Sequence, residues 1–168
     1  MRIRAARRDE FPVLQDIELA AGAAFRDVGM PEVAGDEPFS EAELGRYADA
    51  GRAWVAVDDA DVPVAYLVAE PVDGNLHVEQ VSVHPRHARC GIGRELLDHL
   101  AQVARTERAP ALTLTTFTEV PWNAPYYVRC GFHPMTDGMV GPQLRAIRSR
   151  EAAHGLDRWP RICMRRPL

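Results

Sequence analysis

The sequence predicts an α/β protein organised on a mixed sheet, mostly antiparallel, with one parallel strand–helix–strand unit. Three features lead there. Residues 52–59 (RAWVAVDD) and 62–72 (VPVAYLVAEPV) are apolar, β-prone runs joined by an acidic turn, the pattern of a hairpin. Residues 72–75 (VDGN) place Asp-Gly at the centre of a second tight turn, which leads into a third strand over 76–84 (LHVEQVSVH). A helical run over 91–108 and a strand over 109–117 come next, and such a strand–helix–strand order implies a crossover between parallel strands.

The other elements follow from local signals. RIRAA, near the N-terminus, is a first strand. Phe11, Leu14, Ile17, Ala21 and Phe25 recur at helical spacing, with Asp9 as the N-cap and Pro12 in the first turn. Residues 26–39 (RDVGMPEVAGDEPF), rich in Gly, Pro and acid, read as a loop. Ser40 followed three residues later by Glu43 is a capping box for a second helix, which Gly51 stops. In the run over 91–108, Ile92, Leu96, Leu97, Leu100 and Val103 share one face. VPWNAPYYVRCGF (120–132) reads as a loop and a short helix ended by Gly131. A polar helical piece (143–155) and a last strand (159–167) complete the chain. With no repeat and no linker, residues 1–168 read as a single domain.

Composition narrows the function. A length of 168 residues suffices for one substantial core, and a net charge of −4 gives no reason to expect nucleic acid as a partner. All 20 basic Lys/Arg residues are Arg, so any cationic side-chain contact to phosphate comes from a guanidinium. Cys90, Cys130 and Cys163 are too few and too scattered for a disulfide framework or a metal site, which fits a reducing cytoplasm. His84 and His87 flank a proline without a ligand partner at metal spacing, so no metal is expected. MRIRAARRDEF lacks the apolar segment of a secretory signal, and no apolar run is long enough to cross a membrane.

HARCGIGRELL (87–97) carries the chemistry. Glycines at a helix start let an anion approach the exposed backbone N–H groups at the positive end of the helix dipole. Gly91 and Gly93 supply this, with Arg86, Arg89 and Arg94 close by. A nucleotide-binding P-loop is excluded because the chain has no lysine. A dinucleotide fingerprint is excluded because Leu96 stands where a third glycine belongs.

VSVHPRHARCGIGRELL resembles the cofactor motif of the GNAT superfamily of acetyl-CoA-dependent N-acetyltransferases: a strand ending in V-x-P, then Q/R-x-x-G-x-G/A, then a helix opening with Leu-Leu. A second family motif, N-x-x-x-Y-x-x-x-G-F, is matched downstream by Asn123, Tyr127, Gly131 and Phe132. Two motifs in order are far more specific than either alone, and the element order fits over essentially the whole chain. One position departs: Ala88 stands where Gln or Arg is usual, with Arg89 or Arg86 to compensate.

The resemblance implies the GNAT fold of about seven strands and direct transfer of acetyl from acetyl-CoA to an amine. Tyr127 takes the place of the group that meets the leaving thiolate, and Glu79 is the candidate base, with His77 as the other possibility. Otherwise Glu79 is a solvated strand-face acid and His77 an ordinary surface histidine. Val81, Ser82 and Val83 match the strand that pairs with pantetheine through its backbone. Arg89, Cys90, Gly91, Ile92, Gly93 and Arg94 match the pyrophosphate loop. Asn123 either contacts pantetheine or caps the short helix. Glu18, Phe25, Arg26 and Trp122 are candidate acceptor contacts. The expected acceptor is a primary amine of a small molecule or peptide, and exposed sheet edges allow a homodimer. A CoA-binding module without turnover, or a transferase of longer acyl groups, are the alternatives.

Overall fold

The computed structural model describes residues 1–168. Its strands are β1 (Arg2–Ala5), β2 (Ala53–Val57), β3 (Pro63–Val72), β4 (Asn75–Val83), β5 (Ala111–Phe117), β6 (His133–Pro134) and β7 (Arg161–Pro167). They form one seven-stranded sheet in the order β1-β2-β3-β4-β5-β7-β6. The helices are α1 (Phe11–Gly22), α2 (Pro31–Ala34), α3 (Glu41–Asp49), α4 (Ile92–Thr106), α5 (Ala124–Arg129) and α6 (Pro142–Ala153). β4 and β5 are parallel, with Leu76 opposite Leu112 and His77 opposite Thr113. β1 with β2, β2 with β3, β5 with β7 and β6 with β7 are antiparallel, so the sheet is mixed as the turns and the crossover predict. Contacts divide the chain into two units, Met1–Glu70 with Val78–Leu100, and Pro71–His77 with Ala101–Leu168.

In the first unit, Phe11, Leu14 and Ile17 of α1 are at most 2% exposed and pack with Leu44, Val55, Val57, Tyr66 and Val68. Trimming Leu14 to Ala is expected to cost about 2–5 kcal/mol, the range for a large buried aliphatic. The helix start differs from the sequence expectation. Asp9 does not cap it. A 3₁₀ turn, Arg8–Glu10, precedes α1, and the Arg7 N–H donates to Glu10 Oε2 at 2.9 Å. Glu10 also meets Arg4 at 2.5 Å, and Arg4 reaches Asp61 at 2.9 Å, which ties β1 to the β2–β3 turn. Pro12 does sit in the first turn of α1. Phe25 falls outside α1, because the helix tightens into a 3₁₀ segment (Ala23–Val28) that ends at left-handed Gly29. The segment read as a loop contains α2, which buries Met30 and Ala34 at its ends.

The Ser40 capping box is present in both directions: Glu43 N–H donates to Ser40 Oγ (3.1 Å), and Ser40 N–H to Glu43 Oε1 (3.2 Å). The first part of α4 buries Ile92, Leu96, Leu97 and Leu100.

In the second unit α4 continues with Ala101 and Ala104 buried, whereas Val103 is only half-buried. Leu144 and Ile147 of α6 pack on Val72 and Cys163, with Met135 and Val140 alongside. Both central residues of the β3–β4 turn are left-handed, Asp73 at φ 50° and Gly74 at φ 80°, which suits a tight hairpin. Asp73 also receives the N–H groups of Gln143 and Leu144, each at 3.0 Å, and so caps α6 from another element. β6 is too short to leave a sequence signal.

Candidate active site

The loop from β4 to α4 begins with Pro85–His87 as a 3₁₀ turn, where His84 Nδ1 accepts from the Arg86 N–H at 3.2 Å. Ala88 is extended, Arg89 is left-handed at φ 61°, and Gly91 is left-handed at φ 80°. A Cβ at Gly91 would meet nothing within 4 Å, so the backbone faces open space there. Ile92 is buried and anchors the helix start, and the Glu95 N–H donates to Gly91 O at 3.0 Å as the helical bonding begins. Arg86, Arg89, Cys90, Gly91 and Arg94 are exposed and Gly93 is half-buried. Unfilled space at a left-handed glycine, the unpaired N–H groups of a helix first turn and nearby guanidiniums together suit a pyrophosphate. The residues fit the cofactor that the sequence motif implies.

Glu79, Gln80 and Val81 of β4 are half-buried, and so is Val83. Ser82 is buried, and its hydroxyl accepts from Gln80 Nε2 at 2.8 Å. Glu79 lies within electrostatic reach of Tyr47. Burial, then the charges of Glu79 and Glu70, push the Tyr47 phenol well above its usual value. His77 is not the surface histidine that the sequence suggests, and Glu79 is half-buried. His77 is 1% exposed, and its Nδ1 lies 2.9 Å from Thr113 Oγ1 on the neighbouring strand. The hydroxyl partner satisfies a ring nitrogen that would otherwise be costly to bury.

α5 positions Tyr127. Its carbonyl accepts from both the Cys130 and the Phe132 N–H at 3.0 Å, a closure made possible by Gly131 at φ 93°. The Tyr127 ring is half-buried, edge-on to Phe132 (centroids 5.8 Å apart) and Tyr126 (5.4 Å). Burial, with a smaller effect of Cys130, raises its phenol well above the usual value near 10, so it stays protonated. Asn123 occupies the N-cap position, but its side chain makes no capping bond, which removes the cap as the reason for an Asn there. Trp122 is 37% exposed.

Glu18, a candidate acceptor contact, lies on α1. It is half-buried, and Oε1 accepts from the Tyr66 hydroxyl at 2.5 Å and from the Phe39 N–H at 3.2 Å. Burial raises its pKa, although both hydrogen bonds act the other way, and Glu43 and Asp36 raise it further. Phe39 lies edge-on to Tyr47, 5.7 Å between centroids. Phe25 is half-buried and Arg26 exposed. The partners of Glu18, Tyr66 and Phe39, and Tyr47 beside Phe39, have no sequence signal that ties them to it. Tyr66 reads as core in VPVAYLVAEPV, and the three come from separate elements.

A glycine loop between a strand and a helix, with a tyrosine on a later short helix, follows the order of the acetyltransferase motifs. Residues 14–132 match the model of the acetyltransferase (GNAT) family, and the chain belongs to that family. Solved structures agree on the fold. A GNAT-family acetyltransferase from Staphylococcus aureus Mu50 superimposes with a TM-score of 0.72 at 14% identity, covering 99% of this chain and 98% of that one. The PaiA N-acetyltransferase of Thermoplasma acidophilum, solved with coenzyme A, gives 0.69 at 12% identity, with 99% and 98% covered. The ribosomal-protein-S18-alanine N-acetyltransferase of Escherichia coli gives 0.66 at 17% identity, with 99% and 92% covered. No helix is long and apolar enough to cross a membrane.

Proposed function

We propose that residues 1–168 act as one catalytic domain that transfers the acetyl group of acetyl-CoA to a primary amine of a small molecule or peptide. Transfer is direct, in a ternary complex. The observation that carries this reading is Tyr127, whose backbone is held at the end of α5 by two hydrogen bonds to its carbonyl and whose phenol burial keeps protonated.

Acetyl-CoA supplies the thioester carbonyl that is attacked and the thiolate that leaves. The backbone N–H groups around Gly91, Ile92 and Gly93 would hold the pyrophosphate, with Arg89 and Arg94 adding charge and Cys90 lining the loop. The backbone of Val81, Ser82 and Val83 would pair with pantetheine, and Asn123 would hydrogen-bond it. Glu79 takes the proton that the amine must lose, since an alkylamine is mostly protonated at neutral pH. Tyr127 donates a hydrogen bond to the sulfur as negative charge builds there. His77, buried on Thr113, is better suited to supporting β4 than to serving as the base. Glu18, Phe25, Arg26 and Trp122 are the acceptor contacts in this reading, and solution in the cytoplasm fits the three free cysteines.

A thiol-release assay against a panel of primary amines tests the reading. Acetyl-CoA-dependent release with at least one amine, lost in Tyr127→Phe and in Glu79→Gln, supports it. Binding of acetyl-CoA without release from any amine overturns it.

A further inference from the structure

The second unit holds a cavity of about 220 Å³ where the β3–β4 turn, β5 and the start of α6 meet. None of its lining residues is among those assigned above to acetyl-CoA or to the acceptor. Val72, Met135, Met139 and Leu144 form an apolar wall, and Asp73, Asn75 and Thr113 a polar one. A cavity of roughly 150 Å³ already admits a benzene ring, so this volume takes a ring that carries a polar substituent. Met139 is 50% exposed, so the wall on that side borders solvent.

The polar wall has one unmet group. Both carboxylate oxygens of Asp73 accept backbone N–H groups of α6, and Thr113 Oγ1 lies 2.9 Å from His77 Nδ1. Asn75 differs, because its Oδ1 is enclosed and receives no donor. Carboxamide oxygens in such places are ordinarily paired, and leaving one unmet is unfavourable. A half-turn about χ2 exchanges the oxygen and the NH2 group, so Asn75 can offer the cavity an acceptor or a donor. A hydroxyl both donates and accepts, and it pairs with either end. The two methionines favour an aromatic body, since a thioether sulfur packs well at a ring edge. No Arg or His lines the cavity and Asp73 is anionic, which disfavours a carboxylate or a phosphate.

We propose that this cavity is a binding site for a small neutral phenol, with the hydroxyl on the Asn75 carboxamide and the ring against Met135, Met139 and Leu144. The site is independent of the acetyl-transfer reading and stands whether or not that reading does. Its walls come from the β3–β4 turn, β5, α6 and the segment before α6, which meet only in the folded chain. The occupant therefore binds the folded state and stabilises it by mass action.

The test titrates the full chain with phenol, toluene and benzoate, followed by amide NMR shifts. Phenol and toluene have the same shape and differ by the hydroxyl. Phenol should saturate at roughly millimolar concentration or below, with shifts centred on Asn75, Thr113, Gly141 and Leu144. It should bind about fivefold tighter than toluene, the worth of one neutral hydrogen bond, and benzoate should not bind. Asn75→Leu keeps the approximate shape of the side chain and removes its polar atoms, so toluene should then bind at least as tightly as phenol. The amide spectrum reports whether this variant is folded. If it is not, Met139→Trp at an exposed position fills the cavity instead, and it should weaken phenol binding about fivefold or more. No saturable shift at those four amides overturns the proposal. So does a preference for phenol that survives in folded Asn75→Leu, benzoate binding as tightly as phenol, or undiminished phenol binding in Met139→Trp.

Discussion

The Tyr66 hydroxyl donates to Glu18 Oε1 across 2.5 Å, and this one bond joins the centre of β3 to α1. The Phe39 N–H brings in the segment before α3, and Gln15 Nε2 donates back to Phe39 O at 3.0 Å. A carboxylate is thus used as the junction of three elements.

Its charge has a thermodynamic consequence. Burial raises the Glu18 pKa above its ordinary value in the folded state. The folded protein therefore holds this proton more tightly than the unfolded chain does. The resulting stability is present at low pH and is lost as pH rises through the folded pKa. Glu18→Gln is neutral at every pH and keeps the acceptor oxygen. Relative to wild type, its melting temperature should be higher at pH 8 than at pH 4. Thermal melts at the two pH values check this. A relative stability that falls with pH would mean the ionised form is the favoured one.

The clasp between the β3–β4 turn and α6 makes a second prediction. Asp73 accepts from two backbone N–H groups of α6, and its own N–H donates to Gln143 Oε1 at 2.6 Å. A Cβ at Gly141 would lie 2.5 Å from the Asp73 carboxylate. Asp73→Ala removes the cap and should cost about 1–2 kcal/mol. Gly141→Ala should cost at least as much by pushing the carboxylate away, although the φ of Gly141 suits any residue. Denaturant unfolding measures both. In the double variant the costs should add to less than their sum, because both act on one cap.

These features differ in how far the sequence reveals them. Every strand but β6, the turn at Asp73-Gly74, the Ser40 capping box and the face of α4 apart from Val103 come from short-range patterns and are present. The glycine loop and Tyr127 are legible because their residues are close in sequence and fall at the spacing of the family's motifs. The Glu18–Tyr66 bond joins residues 48 apart, and neither has a local signal. His77 and Glu79 look alike on a strand, and only burial separates them. Asp9 was a reasonable cap by residue type, but Glu10, held by Arg4 and the Arg7 N–H, fixes the turn one residue later.

The phosphate loop gives a third prediction. Arg89 is exposed, and its backbone is left-handed. Any L-residue there has the same steric cost, so Arg89→Ala leaves the backbone nearly unperturbed and reports on the guanidinium. It should weaken acetyl-CoA binding roughly fivefold, the value of one exposed charged contact. Ala88→Gln should leave binding unchanged, and Gly91→Ala should weaken it more than Arg89→Ala by placing a methyl in the open space at the loop. Titration calorimetry separates the three. Wild-type affinity in Arg89→Ala would assign the phosphates to the backbone and Arg94 alone.

The fourth prediction concerns Tyr127. With its phenol raised well above 10 by burial, Tyr127 stays protonated throughout the range in which amines become neutral. Two expectations follow for the pH profile of kcat. The ascending limb belongs to loss of a proton by the amine or by Glu79, and no descending limb near pH 10 belongs to the phenol. Tyr127→Phe keeps the packing on Phe132 and Tyr126 and removes only the hydroxyl. It should lower kcat about 100-fold, within the range for a positioned proton donor, with acetyl-CoA affinity within about twofold of wild type. The ascending limb should keep its position, since the group responsible for it is untouched. A variant that loses affinity as much as rate would place the hydroxyl in cofactor binding. One that keeps wild-type kcat would mean the thiolate leaves without help from Tyr127.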